Sequence, residues 1–172
     1  MLERARALDA ADTIAHFRDR FDLPEGVIYL DGNSLGPLPK ASRERLHKVI
    51  DAEWGEGLIR SWNELPGGGG DWIAMPQRVG AKIAPLVGAQ AHEVIACDSV
   101  SVNLAKLIGA ALSLNPDRNV VLSEPGNFPT DLYIIQGQPQ VEQRLAERDK
   151  MIEALDESVA LLLLTHVHYK TG

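Results

Sequence analysis

Asn127-Phe128-Pro129-Thr130-Asp131 is the stretch that decides the fold of this chain. It follows a short apolar run, residues 119–122, and opens a segment, residues 130–136, whose pattern is that of a helix. Proline therefore fixes an aromatic ring and a carboxylate at a turn between a strand and a helix. In open α/β folds such turns lie at the carboxyl ends of the strands, which is where ligands bind.

The second half of the chain alternates short apolar runs with helical patterns. Strands are predicted at residues 94–97, 120–122 and 159–164, and helices at residues 101–112 and 130–136. Residues 141–155 carry charges at helical spacing. This alternation predicts an α/β fold with βαβ units and a mostly parallel sheet covered on both faces.

The first half of the chain has a different pattern, with helices predicted at residues 2–21, 41–54 and 73–87 and a short strand at residues 27–30. Four successive glycines, residues 67–70, predict a flexible surface loop. They do not form a phosphate loop, because no Gly-Lys-Ser/Thr follows them. At 172 residues the chain is long enough for one compact domain with a full core.

The composition is that of a soluble globular protein, with 45% apolar and 24% charged residues. A formal charge of -7 argues against nucleic acid or an anionic membrane as the main partner. The single cysteine, Cys97, excludes an internal disulfide framework and fits a reducing cytosol. The N-terminus lacks the apolar core of a signal peptide, and the run at residues 161–164 is too short to cross a bilayer. We therefore expect a cytoplasmic protein.

A second polar turn, Asp98-Ser99-Val100-Ser101-Val102-Asn103, precedes a predicted helix. Unpaired N–H groups at the helix N-terminus, with the hydroxyl of Ser99 or Ser101, would bind a dianionic phosphate. The alternative is that Asp98, Ser99 or Ser101 only caps the helix, and the local sequence alone favours that alternative.

The other candidate site residues also have ordinary structural interpretations. Phe128 would be a core aromatic and Asp131 a first-turn acid favoured by the helix dipole. Thr165 would end a strand because of its β-propensity. The motif Asp31-Gly32-Asn33-Ser34-Leu35-Gly36 would be a tight turn.

Taken together, the three motifs resemble those of kynureninases, a family of pyridoxal-phosphate (PLP) enzymes with the aspartate-aminotransferase fold. The resemblance extends from about residue 29 to residue 172. It implies a PLP-dependent transferase-like fold (fold type I), with residues 1–60 as an N-terminal helical arm with substrate-side loops. Residues 61–172 would begin the large PLP-binding domain. The family's Schiff-base lysine is expected beyond Gly172, so we expect an incomplete front part of the enzyme, without a catalytic residue of its own.

The resemblance also assigns roles to individual residues. The PLP phosphate would be held by the backbone of Val100 and by Ser101, and the pyridine ring would stack on Phe128. Other cofactor-binding positions are Pro129, Thr130, Asp131 and Thr165. Candidate substrate contacts are Asn33, Ser34 and Trp62.

The activity implied is hydrolysis of L-kynurenine or 3-hydroxykynurenine to L-alanine and anthranilate or 3-hydroxyanthranilate, in tryptophan catabolism and NAD biosynthesis. The intact enzyme would be a homodimer. Two alternatives are another fold type I PLP enzyme, such as a cysteine desulfurase-like lyase, and a non-catalytic truncated partner subunit. The motifs at residues 32–36 and 127–131 weigh against the desulfurase.

Two further features of the C-terminal residues are interpreted as incidental. His166 and His168 have no complementary Cys/His/Asp cluster, so no metal site is predicted. Lys170, in Tyr169-Lys170-Thr171-Gly172, follows a strand directly, whereas the family's lysine lies farther on. It is therefore not the expected Schiff-base residue.

Overall fold

A computed structural model describes all 172 residues, which form two compact units, Met1–Ala96 and Cys97–Gly172. Both clusters of buried apolar side chains lie inside the second unit. The predicted boundary after residue 60 concerns the intact enzyme and stays a prediction. No helix is both long enough and apolar enough to span a bilayer.

The first unit is built from helices and one small strand pair. Its elements are α1 (Leu2–Ala11), β1 (Phe21–Asp22), β2 (Leu38–Pro39), α2 (Lys40–Lys48) and α3 (Met75–Val87). A π-helix, Val49–Glu56, continues α2, and short 3₁₀ turns cover Ala15–Arg20, Leu58–Trp62 and Ala91–Glu93. Strands β1 and β2 pair antiparallel.

The three predicted helices of this unit are present with altered limits. The first ends at Ala11, because the Asp12 carboxylate accepts a hydrogen bond from the Ile14 amide (2.9 Å) and starts a separate turn. The second extends through the π-helix to Glu56. The third keeps Pro85 inside it and ends at Val87, followed by Gly88, whose φ of 72° is the left-handed conformation that glycine favours.

Neither strand predicted in this unit forms. Residues 27–30 pair with no other strand, and Ile28 and Leu30 are exposed. Residues 94–96, the part of the second predicted strand inside this unit, lie instead against α3, where the Ala96 amide donates to the Pro76 carbonyl (3.2 Å). The approach depends on Gly80, since a Cβ there would lie 2.0 Å from the carbonyl oxygen of Val94.

The second unit contains the predicted parallel sheet. Its elements are α4 (Val100–Leu114), β3 (Val120–Ser123), α5 (Pro129–Gln136), β4 (Glu142–Leu145) and β5 (Val159–Leu162). The strand order is β4-β3-β5, and both pairings are parallel. Residues 141–155 contribute a strand and a short 3₁₀ turn instead of a helix, because residues 142–145 pair along the whole of β3.

The core lies on both faces of β3, whose four residues are all buried. Val120 and Leu122 pack with Met151 and Val159 on one face. Val121 packs with Ile108 of α4 and Ile135 of α5 on the other. Successive side chains of a strand point to opposite faces, so this central strand is apolar throughout. The helices α4 and α5 thus cover one face, and the turn at residues 146–154 covers the other.

Candidate functional site

The carboxyl ends of β3 and β5 are joined by the side chain of Asn127. This residue is 3% exposed, and its Nδ2 donates to Oγ of Ser123 at the end of β3 (3.1 Å). Its Oδ1 accepts from the hydroxyl of Thr165, which follows β5, and from the amide of Phe128 (2.7 Å). Oγ of Ser123 in turn donates to the Leu163 carbonyl (2.9 Å). A single amide therefore fixes the Phe128 backbone to two strand ends.

Phe128 lies at the start of α5 and presents its ring at the edge of the sheet. Its backbone is extended (φ -61°, ψ 132°), and Pro129 occupies the first helical position, where its missing N–H costs nothing. The ring is 46% exposed and meets Tyr169 edge-on, with centroids 5.2 Å apart. Phe128 is therefore not a core aromatic, and it has surface available to a planar ligand.

Asp131 and Thr130 lie in the first turn of α5. Burial raises the pKa of the Asp131 carboxyl, and the neighbouring Thr130 hydroxyl partly offsets the rise. A carboxylate at this position adds a hydrogen-bond acceptor beside Phe128, in the helix turn that favours negative charge.

The turn before α4 leaves unpaired amides at a helix N-terminus. Oγ of Ser99 caps the helix by accepting from the Val102 amide (3.3 Å), which identifies the cap among the three candidates. The amides of Val100 and Ser101 then stand at the first two helical positions, where α-helices have no internal acceptor. Their N–H groups and the Ser101 hydroxyl remain available for an anion.

A surface ion pair steadies the same turn. Asp98 has a left-handed backbone (φ 54°), and its carboxylate binds the ammonium of Lys106. The hydrogen bond from Lys106 holds the pKa of Asp98 below its usual value, and the bond to Asp98 raises the pKa of Lys106. Asn103 donates to the Cys97 carbonyl (3.0 Å) and thereby closes the turn. Because Asp98 is paired, its charge opposes an incoming anion less.

The two turns lie toward the same edge of the sheet. Leu112 and Ser113, at the end of α4, line a groove with Asn119 and Val141, which precede β3 and β4. Helix α4 therefore runs antiparallel to the strands, and its 15 residues span about 22 Å. Val100 and Ser101 at its other end consequently lie toward the carboxyl edge, where Asn127, Phe128 and Thr165 are found.

This set of groups fits PLP chemically. Free amides and a hydroxyl at a helix N-terminus suit a dianionic phosphate, and the half-exposed Phe128 ring suits a pyridine face. Asp131 offers a carboxylate to the polar side of such a ring. The hydroxyl of Thr165 donates to Asn127, so toward a ligand it can act only as an acceptor.

The C-terminal residues form one wall of a groove beside Phe128. The groove has a volume of about 220 Å³ and lies between α5, β4 and residues 169–170. His168 Nε2 is 2.9 Å from the Gly126 carbonyl oxygen, which fixes this segment against the turn. Lys170 lines the groove with Tyr169, and its Nζ is 5.2 Å from the Tyr169 ring centroid. No cluster of three metal-ligating side chains occurs in the chain.

Sequence reasoning missed four contributors to this edge: Ser123, Asn127, His168 and Tyr169. An asparagine in a turn is ordinarily explained by its local conformation. The available signal was the position of Asn127 between a buried strand and an exposed aromatic residue. A turn that holds an aromatic ring at the surface needs side-chain hydrogen bonds to keep its conformation. The contacts of His168 and Tyr169 join positions about 40 residues apart, so no local pattern contains them.

The candidate substrate residues lie in the first unit. Asn33 and Ser34 are exposed in a turn closed by the Ser34 amide, which donates to the Asp31 carbonyl (3.2 Å). The hydroxyl of Tyr29 donates to the carbonyl of Leu35 and also lies 3.1 Å from the carbonyl oxygen of Asp31. Trp62 is half exposed and packs edge-to-face on Trp72, with centroids 5.9 Å apart.

The fold and this site define an α/β protein in which a helix N-terminus and a half-exposed aromatic ring lie toward one edge of a parallel sheet. No family model matches the chain. It is 51% identical over 175 residues to a kynureninase from Deinococcus radiodurans, and 48% identical over 180 residues to kynureninases from Burkholderia mallei and Burkholderia pseudomallei. Each match covers 99% of the chain but 42% of the relative's length. The chain is thus a homologue of kynureninases along nearly its whole length, as its three motifs predicted.

Proposed function

We propose that this chain forms part of a PLP-dependent kynureninase that hydrolyses L-kynurenine, or 3-hydroxykynurenine, to L-alanine and the corresponding anthranilate. The main support is Asn127, which ties the ends of β3 and β5 together beneath the half-exposed ring of Phe128. The homologues add support from outside the site and do not favour a cysteine desulfurase or a non-catalytic partner subunit.

PLP, once bound, supplies an electron sink for loss of the substrate α-proton and cleavage of the bond to the ketone carbon. The chain's own residues bind and orient. Val100 and Ser101 hold the phosphate through amides and a hydroxyl, and Phe128 covers one ring face and excludes water from it. Pro129 and Thr130 fix the turn, with Asp131 and Thr165 as acceptors at the ring's polar edge.

The remaining assignments belong to the same proposal. Asn33, Ser34 and Trp62 contact the substrate, and Trp62 packs on its aromatic ring. Lys170 is not assigned as the lysine that holds the cofactor, because it lies in the segment that follows β5. The complete enzyme has the PLP-dependent transferase-like fold, with residues 1–60 as arm and substrate loops, and works as a cytoplasmic homodimer.

A chimera tests the reaction directly. This chain replaces the matching 42% of the Deinococcus radiodurans relative, and anthranilate released from L-kynurenine is followed by its fluorescence. We expect turnover that falls in Ser101→Ala and persists in the surface control Ser113→Ala. A chimera that retains PLP but releases no anthranilate contradicts the proposal, and sulfide release from cysteine would favour the desulfurase instead.

A further inference from the structure

The first unit contains a buried carboxylate that nothing in the proposed reaction uses. Glu53, on the π-helix, is 1% exposed. Its Oε1 lies 2.7 Å from NH1 of Arg45, and its Oε2 accepts from Trp72 Nε1 at 3.0 Å. A buried charge is stable only when it is paired and hydrogen-bonded, and Glu53 meets both conditions.

Glu53 is ionised in the folded chain. Burial raises its pKa, but hydrogen bonds from Trp72 and Arg45, with the positive charges of Arg45 and Lys48, outweigh burial and lower the pKa below the usual value. The carboxylate is therefore charged at neutral pH, and both of its oxygens are used.

The contacts of Glu53 converge on Trp62 by two routes. Through its side chain, Glu53 holds the indole N–H of Trp72, whose ring meets Trp62 at 80°. Through its backbone, Glu53 accepts from the Ser61 hydroxyl (2.6 Å), and Ser61 directly precedes Trp62. The Trp72 amide also donates to the Ser61 carbonyl (3.0 Å). The partner ring and the backbone of Trp62 are thus both anchored.

The side chains and backbone around Glu53 and Ser61 are tightly packed. Ser61 is fully buried, and a Cβ at Gly57 would lie 2.0 Å from its Oγ and 2.4 Å from the Glu53 carbonyl oxygen. Trp62 itself is 49% exposed, so its ring extends from a rigid base to the surface. A half-exposed indole held in this way loses little conformational entropy when a flat ligand packs on it.

We propose that Glu53 is a positioning residue that fixes the orientation of Trp62, through Trp72 and Ser61, for packing against the aromatic ring of the substrate. The substrate part rests on the proposed function, because only there does Trp62 contact substrate. A purely structural ion pair would stabilise the unit without controlling how the two indoles are oriented.

Circular dichroism reports that orientation, because two indoles in edge-to-face contact give an exciton couplet. The chain has three tryptophans, so Trp62→Phe assigns the couplet and Trp54→Phe, at an exposed position, is the control that retains it. We expect Glu53→Met to lose the couplet and Glu53→Gln to weaken it, both measured below the unfolding transition. Should Glu53→Met not fold, Arg45→Gln removes the charge partner at a half-exposed position and is expected to weaken the couplet likewise.

Binding of anthranilate, measured on the same proteins by quenching of tryptophan emission, separates the two proposals. Loss of the couplet with weaker anthranilate binding supports both positioning and the substrate role. Loss of the couplet with unchanged anthranilate binding keeps Glu53 as the anchor but removes the substrate role of Trp62. An unchanged couplet in folded Glu53→Met overturns the positioning role.

Discussion

At the scale of single residues, Asn127 determines the geometry of the candidate site. Its amide accepts from Thr165 and from the Phe128 backbone, and it donates to Ser123. Phe128 is placed by this network and not by burial of its own ring. Substitutions at these two adjacent residues should therefore have different effects: a change at Asn127 should lower stability, and a change at Phe128 should weaken ligand binding.

Asn127→Ala is expected to destabilise the chain by about 2–4 kcal/mol, because the Ser123 hydroxyl, the Phe128 amide and the Thr165 hydroxyl each lose a hydrogen-bond partner. Urea unfolding followed by far-UV circular dichroism measures the loss. Asn33→Ala is the matched control at an exposed position, expected within about 0.5 kcal/mol of wild type. Equal stability of the two variants would contradict the role given to Asn127.

Phe128→Ala is expected to weaken PLP binding about tenfold in the chimera, with little change in stability, because stacking and its buried area are worth roughly 1–2 kcal/mol. Equilibrium dialysis of PLP measures the affinity. Phe17→Ala removes a ring of similar exposure, 42% against 46%, and should leave the affinity unchanged. Unchanged affinity in Phe128→Ala would remove the stacking role.

At the scale of elements, β3, β5, α4 and α5 were predictable from the sequence, whereas β4 and the segment before α4 were not. Residues 120–122 are apolar and buried on both faces, so an apolar run was a sufficient signal. Residues 94–97 give the same signal but form no strand. Their backbone packs on α3 instead, in a close contact that only a glycine at position 80 permits. In residues 141–155, pairing with β3 outweighs a helical charge pattern. The hydrogen bonds of Asn127 join two strand ends that are far apart in the sequence, so no local sequence pattern predicts them.

Two helical glycines test that explanation as a pair. Gly80→Ala in α3 places a methyl group against the Val94 backbone and should destabilise by about 1–3 kcal/mol despite its better helix propensity. Gly109→Ala in α4 meets no atom within 4 Å and should stabilise by about 0.5–1 kcal/mol. Thermal unfolding of both variants measures the contrast. Stabilisation by Gly80→Ala would show that residues 94–97 do not pack on α3.

At the scale of the whole molecule, the two units can be observed separately. All three tryptophans lie in Met1–Ala96, so their emission follows the first unit alone. The kynureninase motifs are divided between the units, with the candidate substrate residues in the first and the candidate cofactor residues in the second. Unfolding monitored by tryptophan emission and by circular dichroism therefore need not coincide.

Acid should destabilise the first unit through Glu53. Its folded pKa lies below the unfolded value of 4.5, so its contribution to stability is complete above 4.5 and is lost as the pH falls through the folded pKa. Glu53→Gln should cost about 2 kcal/mol at pH 7, less than a fully buried pair because Arg45 is half exposed. That cost should shrink as the pH falls from 5 to 3, as measured by urea titrations of tryptophan emission. A cost independent of pH would show that Glu53 is not ionised in the folded chain.

An amide-resolved NMR titration of this chain with pyridoxine 5′-phosphate, which lacks the reactive aldehyde, tests the cofactor site most directly. We predict saturable shifts of the Val100 and Ser101 amides together with the ring protons of Phe128. Pyridoxine without its phosphate should leave the two amides unshifted. Shifts confined to Met1–Ala96, or none at these three residues, would contradict a cofactor site at the carboxyl edge of the sheet.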